Sequence, residues 1–74
     1  MIIVSQDKKS VINFENVVMI DIYHIYYPNV EIHATFNNGE DFSLGVYDTE
    51  SRAKEVLNEI INSTSIVKYE MPKE

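Results

Sequence analysis

The chain has 74 residues, no cysteine, twelve acidic against six basic side chains and a formal net charge of −6. That size allows one domain with a small core, and the missing cysteines exclude disulfides and thiolate metal sites as reinforcement, which suits a reducing compartment. An acid excess with no offsetting basic stripe disfavours direct nucleic-acid binding, and no run approaches the ~20 apolar residues of a membrane span. The start, MIIVSQDKK, places its charges after an apolar run, the reverse of a signal peptide, so a cytoplasmic location is expected.

Ile2, Ile3 and Val4 read as a short strand, Ser5-Gln6-Asp7-Lys8 as a polar turn and SVINF as a second strand closed by Glu15-Asn16. Val17 to Tyr27 reads as one long strand stopped by Pro28-Asn29. It is apolar on nearly every residue, whereas a strand with one buried face alternates. VEIHATF does alternate, with Val30, Ile32, Ala34 and Phe36 on one face, and EDFSLGVY repeats the pattern with Phe42, Leu44 and Val46.

A two-residue Asn38-Gly39 turn would set polar residues opposite apolar ones along the whole hairpin. A three-residue loop with left-handed Gly39 instead pairs Phe36 with Glu40, Ala34 with Phe42, Ile32 with Leu44 and Val30 with Val46. The segment DTESRAKEVLNEIINS predicts a helix whose single stripe is Ala53, Val56, Leu57, Ile60 and Ile61. Asp48 or Thr49 is its N-cap, and Asn62 its left-handed stop. The tail, SIVKYEMPKE, adds at most a short strand before Pro72.

These elements predict a single α+β domain over residues 1–74. It is a five-stranded antiparallel meander over about residues 2–47, a helix at about 49–62 on its inner face, and an extended tail at 66–74. A three-residue loop at Tyr27-Pro28-Asn29 sets Tyr26 opposite Val30, His24 opposite Ile32 and Ile22 opposite Ala34. The helix then covers Val18, Ile20, Ile22, His24 and Tyr26. Met19, Asp21, Tyr23, Ile25 and Tyr27 are left on the outer face beside Glu31, His33 and Thr35, with Asp41 and Ser43 beyond.

Three uses of that face compete. His33 between Tyr23 and Ser43, with Asp21 and Asp41 nearby, superficially resembles a Ser, His and Asp set. An open sheet surface, however, offers neither a cleft nor oxyanion donors, so no catalytic residue and no enzyme activity are expected. His24 and His33 fall on opposite faces and cannot share a metal within one chain, so neither metal nor cofactor is expected; a small ligand fits only across a subunit interface. Protein contact suits the composition best, with Met19, Tyr23, Ile25, Tyr27 and His33 as its core and Asp21, Glu31, Glu40 and Asp41 as an acidic surface. The competing cover is the tail, folding back with Val67, Tyr69 and Met71.

Ser5-Gln6-Asp7-Lys8, then Gly45, Tyr47, Thr49, Ala53, Val56, Leu57 and Ile60, then Tyr69, Met71 and Pro72 follow the pattern S-Q-D-K, G-x-Y-x-T-x-x-x-A-x-x-V-L-x-x-I and Y-x-M-P. In these segments the chain resembles a group of small uncharacterised proteins of Gram-positive bacteria and their phages. The resemblance implies a sheet-plus-helix domain, similar to part of a pleckstrin-homology-like fold, and a mobile-element origin. It carries over no functional residue.

The resulting expectation is a non-catalytic, self-associating protein-interaction domain, partnered by copies of itself and by neither nucleic acid nor membrane. One alternative is a phage-type inhibitor whose acidic surface mimics nucleic acid or directly blocks a basic site on a host defence protein. The other is a sponge holding a small nucleotide between subunits, its tyrosines stacked on the base, for which Lys and Arg are scarce.

Overall fold

The apolar stripe becomes a helix where its spacing requires one. In the computed structural model, which describes all 74 residues, α1 spans Glu50–Ile61. Thr49 is its N-cap: its backbone is extended and its hydroxyl accepts from the Arg52 N–H at 3.1 Å. Glu50 in the first turn pairs with Lys54 at 2.9 Å, worth a few tenths of a kcal/mol at this exposure. Asn62 caps the C-terminus in the right-handed region at φ −83°, not as the left-handed stop predicted from sequence.

Beneath α1 lies a meander of β3 (Val17–His24), β4 (Val30–Phe36) and β5 (Asp41–Tyr47). Its second hairpin closes on the expected three-residue loop: Gly39 has φ 90° and the Phe36 N–H donates to the Glu40 carbonyl at 2.8 Å. Ala34 accordingly faces Phe42, but the pairing then slips, and Ile32 faces Gly45 while Val30 faces Tyr47. Leu44 is the extra residue of a β-bulge. The expected pairs Ile32–Leu44 and Val30–Val46 are therefore absent, and Tyr47 turns inward at 2% exposure while Val46 turns out at 39%.

The first hairpin is also displaced. β3 ends at His24, and Ile25–Asn29 form a five-residue connection in which the Asn29 N–H donates to the Tyr26 carbonyl at 2.9 Å. His24 faces Val30, Ile22 faces Ile32 and Ile20 faces Ala34, two residues away from the expected register. A shift of two preserves the parity, so Ile20, Ile22 and His24 keep their inward side. Val18 does not: it is the extra residue of a second bulge, between Val17 and Met19, and is exposed.

The remaining strands correct the predicted five-stranded meander. β1 (Ile2–Val4), β2 (Val11–Asn13) and β6 (Lys68–Glu70) form a separate three-stranded sheet in the order β2-β1-β6. β1 is antiparallel to β2 and parallel to β6. A 3-10 turn at Phe14–Asn16, where the Asn13 side chain accepts from the Glu15 N–H, redirects the chain between β2 and β3, which do not pair. The tail is thus the third strand of this sheet and not a lid on the outer face of β3–β5.

Both sheets and the helix share one core. Ile3 and Ile12, cross-strand partners, contribute from the small sheet; Val30, Ile32, Ala34, Leu44 and Tyr47 from the meander; Ala53, Val56 and Ile60 from α1; and Met71 from beyond β6. No helix is long and apolar enough to cross a membrane.

Candidate interaction surface

On the outer face of the meander, Glu31 is the hub. Neighbouring side chains on one face of a strand are two residues apart, which brings His33 beside Glu31. The His33 Nε2 lies 2.5 Å from Glu31 Oε1, and the Ser43 hydroxyl donates to Oε2 at 2.8 Å. The Tyr23 ring, whose backbone faces Glu31, rests on the imidazole with centroids 4.4 Å apart. Thr35 donates to Asp41 at 2.7 Å. His33 Nδ1 is buried and unpartnered.

The charges follow from these contacts. Burial pushes the Glu31 carboxyl up, but the hydrogen bonds from His33 and Ser43 together outweigh it and hold the group below its ordinary value. Partial burial, then the negative charges of Asp41 and Asp21, push the Tyr23 hydroxyl up. Ser43 and His33 both turn to the same carboxylate. This is not the serine-to-imidazole-to-carboxylate order that activates a nucleophile. His24 lies on the other side, 2.9 Å from Glu50, and no three His, Asp or Glu side chains converge on a metal-sized space.

The residues expected in an interface divide in two. Met19 and Tyr23 lie on the outer face of β3, with His33 half-buried beside them on β4. Ile25 and Tyr27 were expected on the same face; they stand instead in the connection after β3, with Tyr27 95% exposed. Asp21, Glu31 and Asp41 are on the outer face and Glu40 is in the hairpin turn. No Lys or Arg occurs from residue 10 to residue 51, so no lysine or arginine within the meander offsets them.

The two edges of the meander differ sharply. β5 is closed by Gln6: its backbone N–H donates to the Leu44 carbonyl at 2.9 Å. Its side-chain amide exchanges two 2.8 Å hydrogen bonds with Val46 and donates to the Lys73 carbonyl at 2.9 Å. β3, the longest strand, has no neighbour on its far side. Along that open edge runs a groove of about 290 Å³ lined by apolar residues alone, among them Phe14, Val17, Val18, Leu57 and Ile61.

The groove was not foreseen from the sequence, which assigned Ile61 to the buried stripe, yet Ile61 is 59% exposed. The available signal was stripe width: five apolar positions make a face broader than three strands cover. No protein-family model, curated protein or solved structure matches the chain.

Proposed function

We propose that this chain is a non-catalytic protein-interaction domain that associates with copies of itself. The observation that carries the reading is the unpaired edge of β3. Strand edges are normally blunted by lysine, proline, bulges or covering segments. β3 has no lysine, proline or covering strand along Val17–His24, and its one bulge, at Val18, leaves Met19–His24 regular, while Val18, Met19 and Tyr26 are exposed beside it. On the outer face, the polar groups of Glu31, His33, Ser43, Thr35 and Asp41 largely satisfy one another. That arrangement supports a contact surface over a reactive one. The resemblance to small uncharacterised proteins of Gram-positive bacteria and their phages supports a mobile-element origin. The test is light scattering across concentration: a mass of twice the 8.6 kDa chain is expected, and a chain that stays monomeric at millimolar concentration overturns the reading.

A second reading rests on the charge segregation. The acidic outer face, with no Lys or Arg from residue 10 to 51, suits a basic protein surface such as the nucleic-acid site of a host defence protein. Salt separates the two. It weakens attraction to a basic partner, but it strengthens pairing of two chains that each carry −6.

A further inference from the structure

The open edge of β3 has a definite register for a second copy, and that register follows from the backbone. In an antiparallel ladder, hydrogen-bonded and non-hydrogen-bonded pairs alternate. Two bonds anchor the count: the Ile25 N–H to the Asn29 carbonyl at 3.4 Å, and the Phe36 N–H to the Glu40 carbonyl at 2.8 Å. Counting from either end gives the same answer. Met19, Asp21 and Tyr23 spend their backbone groups on β4, while Ile20, Ile22 and His24 direct theirs to the open side.

A two-fold axis normal to the sheet can pair β3 with itself in few ways. Centring it on Asp21 sets two carboxylates directly opposite each other, which is destabilising. Centring it on Ile20 drives the partner strand into the bulge at Val18, where the ladder is interrupted. Centring it on Ile22 avoids both. Ile22 then faces its own copy, and Ile20 faces His24 of the second copy, giving about six backbone hydrogen bonds clear of the bulge. On the outer face Asp21 comes opposite Tyr23 of the second copy, a carboxylate beside a phenol that can donate to it.

The same register fills the groove. Past the end of this ladder, Tyr26 of the second copy, in the connection after β3 and 71% exposed in the single chain, comes level with the bulge at Val18. That brings its ring within reach of Phe14, Val17, Leu57 and Ile61, the apolar residues that line the groove between α1 and β3. Tyrosine suits such a site, being rigid, largely apolar and able to keep its hydroxyl wet. A standard interface hides ~800 Å² per partner, about a sixth of the 4756 Å² surface of this chain.

Resting on the self-association reading above, we infer that two copies join antiparallel through β3 with Ile22 at the two-fold axis, each Tyr26 seated in the other copy's groove. The result is one six-stranded sheet with both helices on the same side.

The absence of native cysteine makes disulfide trapping a clean test. Ile22→Cys alone should give a covalent dimer under mild oxidation, because a hydrogen-bonded pair has Cα atoms ~5.5 Å apart, within disulfide range. Asp21→Cys alone should not, because its own copy lies diagonally, ~8 Å away. Tyr26→Glu alters an exposed position, so the fold persists, and the concentration at half-dimerisation should rise by at least ~10-fold. A dimer by mass in which Asp21→Cys links and Ile22→Cys does not overturns this register and leaves self-association standing. An unchanged midpoint for Tyr26→Glu removes the groove contact. A monomer by mass removes both readings.

Discussion

Gln6 and Gly45 stand so close that a β-carbon on Gly45 would lie 3.0 Å from the Gln6 Cβ and 3.2 Å from its amide carbon and oxygen. The absent side chain is what lets Gln6 reach across to Val46 and seal the edge of β5. Gly45→Ala should therefore push Gln6 outward and loosen its bonds to Val46, at a cost of ~1–3 kcal/mol. A urea midpoint equal to that of the parent would show that Gln6 yields without loss.

The phenol of Tyr47, buried and donating to the Pro72 carbonyl at 2.8 Å, gives the fold an alkaline limit. Burial is the main cause that pushes this hydroxyl up to about 12, with Arg52 opposing and Glu59 assisting. Tyr69 is raised by burial and then by its 2.6 Å bond to Glu59. Folding holds these protons more tightly than the unfolded chain, so the stabilisation is complete below pH ~10 and lost as pH rises through about 12. Chemical denaturation at about pH 9 and about pH 11.5 should show the fall, and Tyr47→Phe should lose ~1 kcal/mol at the lower value yet depend less on alkali. Equal alkaline slopes for the two proteins would remove Tyr47 from this role.

Ile60 and Ile61 are neighbours with opposite duties. Ile60 is fully buried, so Ile60→Ala should cost ~3 kcal/mol of stability through lost transfer energy and a residual cavity. Ile61→Ala should change folding by under ~0.5 kcal/mol but raise the concentration needed for dimerisation severalfold. Thermal melting and sedimentation on the two variants read these effects separately. A large melting shift for Ile61→Ala would place that side chain in the core instead of at the groove.

Acid should attack the hub at Glu31. Its carboxyl is held below the ordinary 4.5 by His33 and Ser43 against the opposing effect of burial. A depressed carboxylate contributes stability above its unfolded pKa, and the contribution disappears as pH falls through the folded value. Asp7, Glu50 and Glu70, all exposed, are lowered in the same direction, chiefly by Ser5, Lys54 and Lys8 respectively. Glu31→Gln should be less stable than the parent near neutrality and lose less on acidification below pH 4.5. Superimposable acid profiles would show that the hydrogen bonds around Glu31 contribute nothing net.

Much of the local structure was legible because its causes are local. The stripe from Ala53 to Ile60, the cap at Thr49 and the left-handed Gly39 each follow from a few adjacent residues. The register beyond Ser43 was not legible, since the bulge at Leu44 is held by Gln6, which arrives from β1. Nor was the small sheet: three-residue strands carry too little periodicity to declare partners, and Ile2 pairs with Lys68 from the other end of the sequence. At the candidate surface, composition marked β3 as over-supplied with apolar side chains. It could not separate an uncovered face from an uncovered edge, a distinction that depends on which strand ends the sheet.

The parallel pairing of β1 with β6 sets the order of folding. Ile3 lies beside Tyr69, with β2, the whole meander and α1 between them in the sequence. α1 and both hairpins of the meander close over short separations, whereas β1 gains its parallel neighbour only when distant segments meet. Docking of β6, which also brings in the buried Met71, is then the late event, the kind of contact that slows folding. That step seals one side of β1 and leaves the far side of β3 as it was.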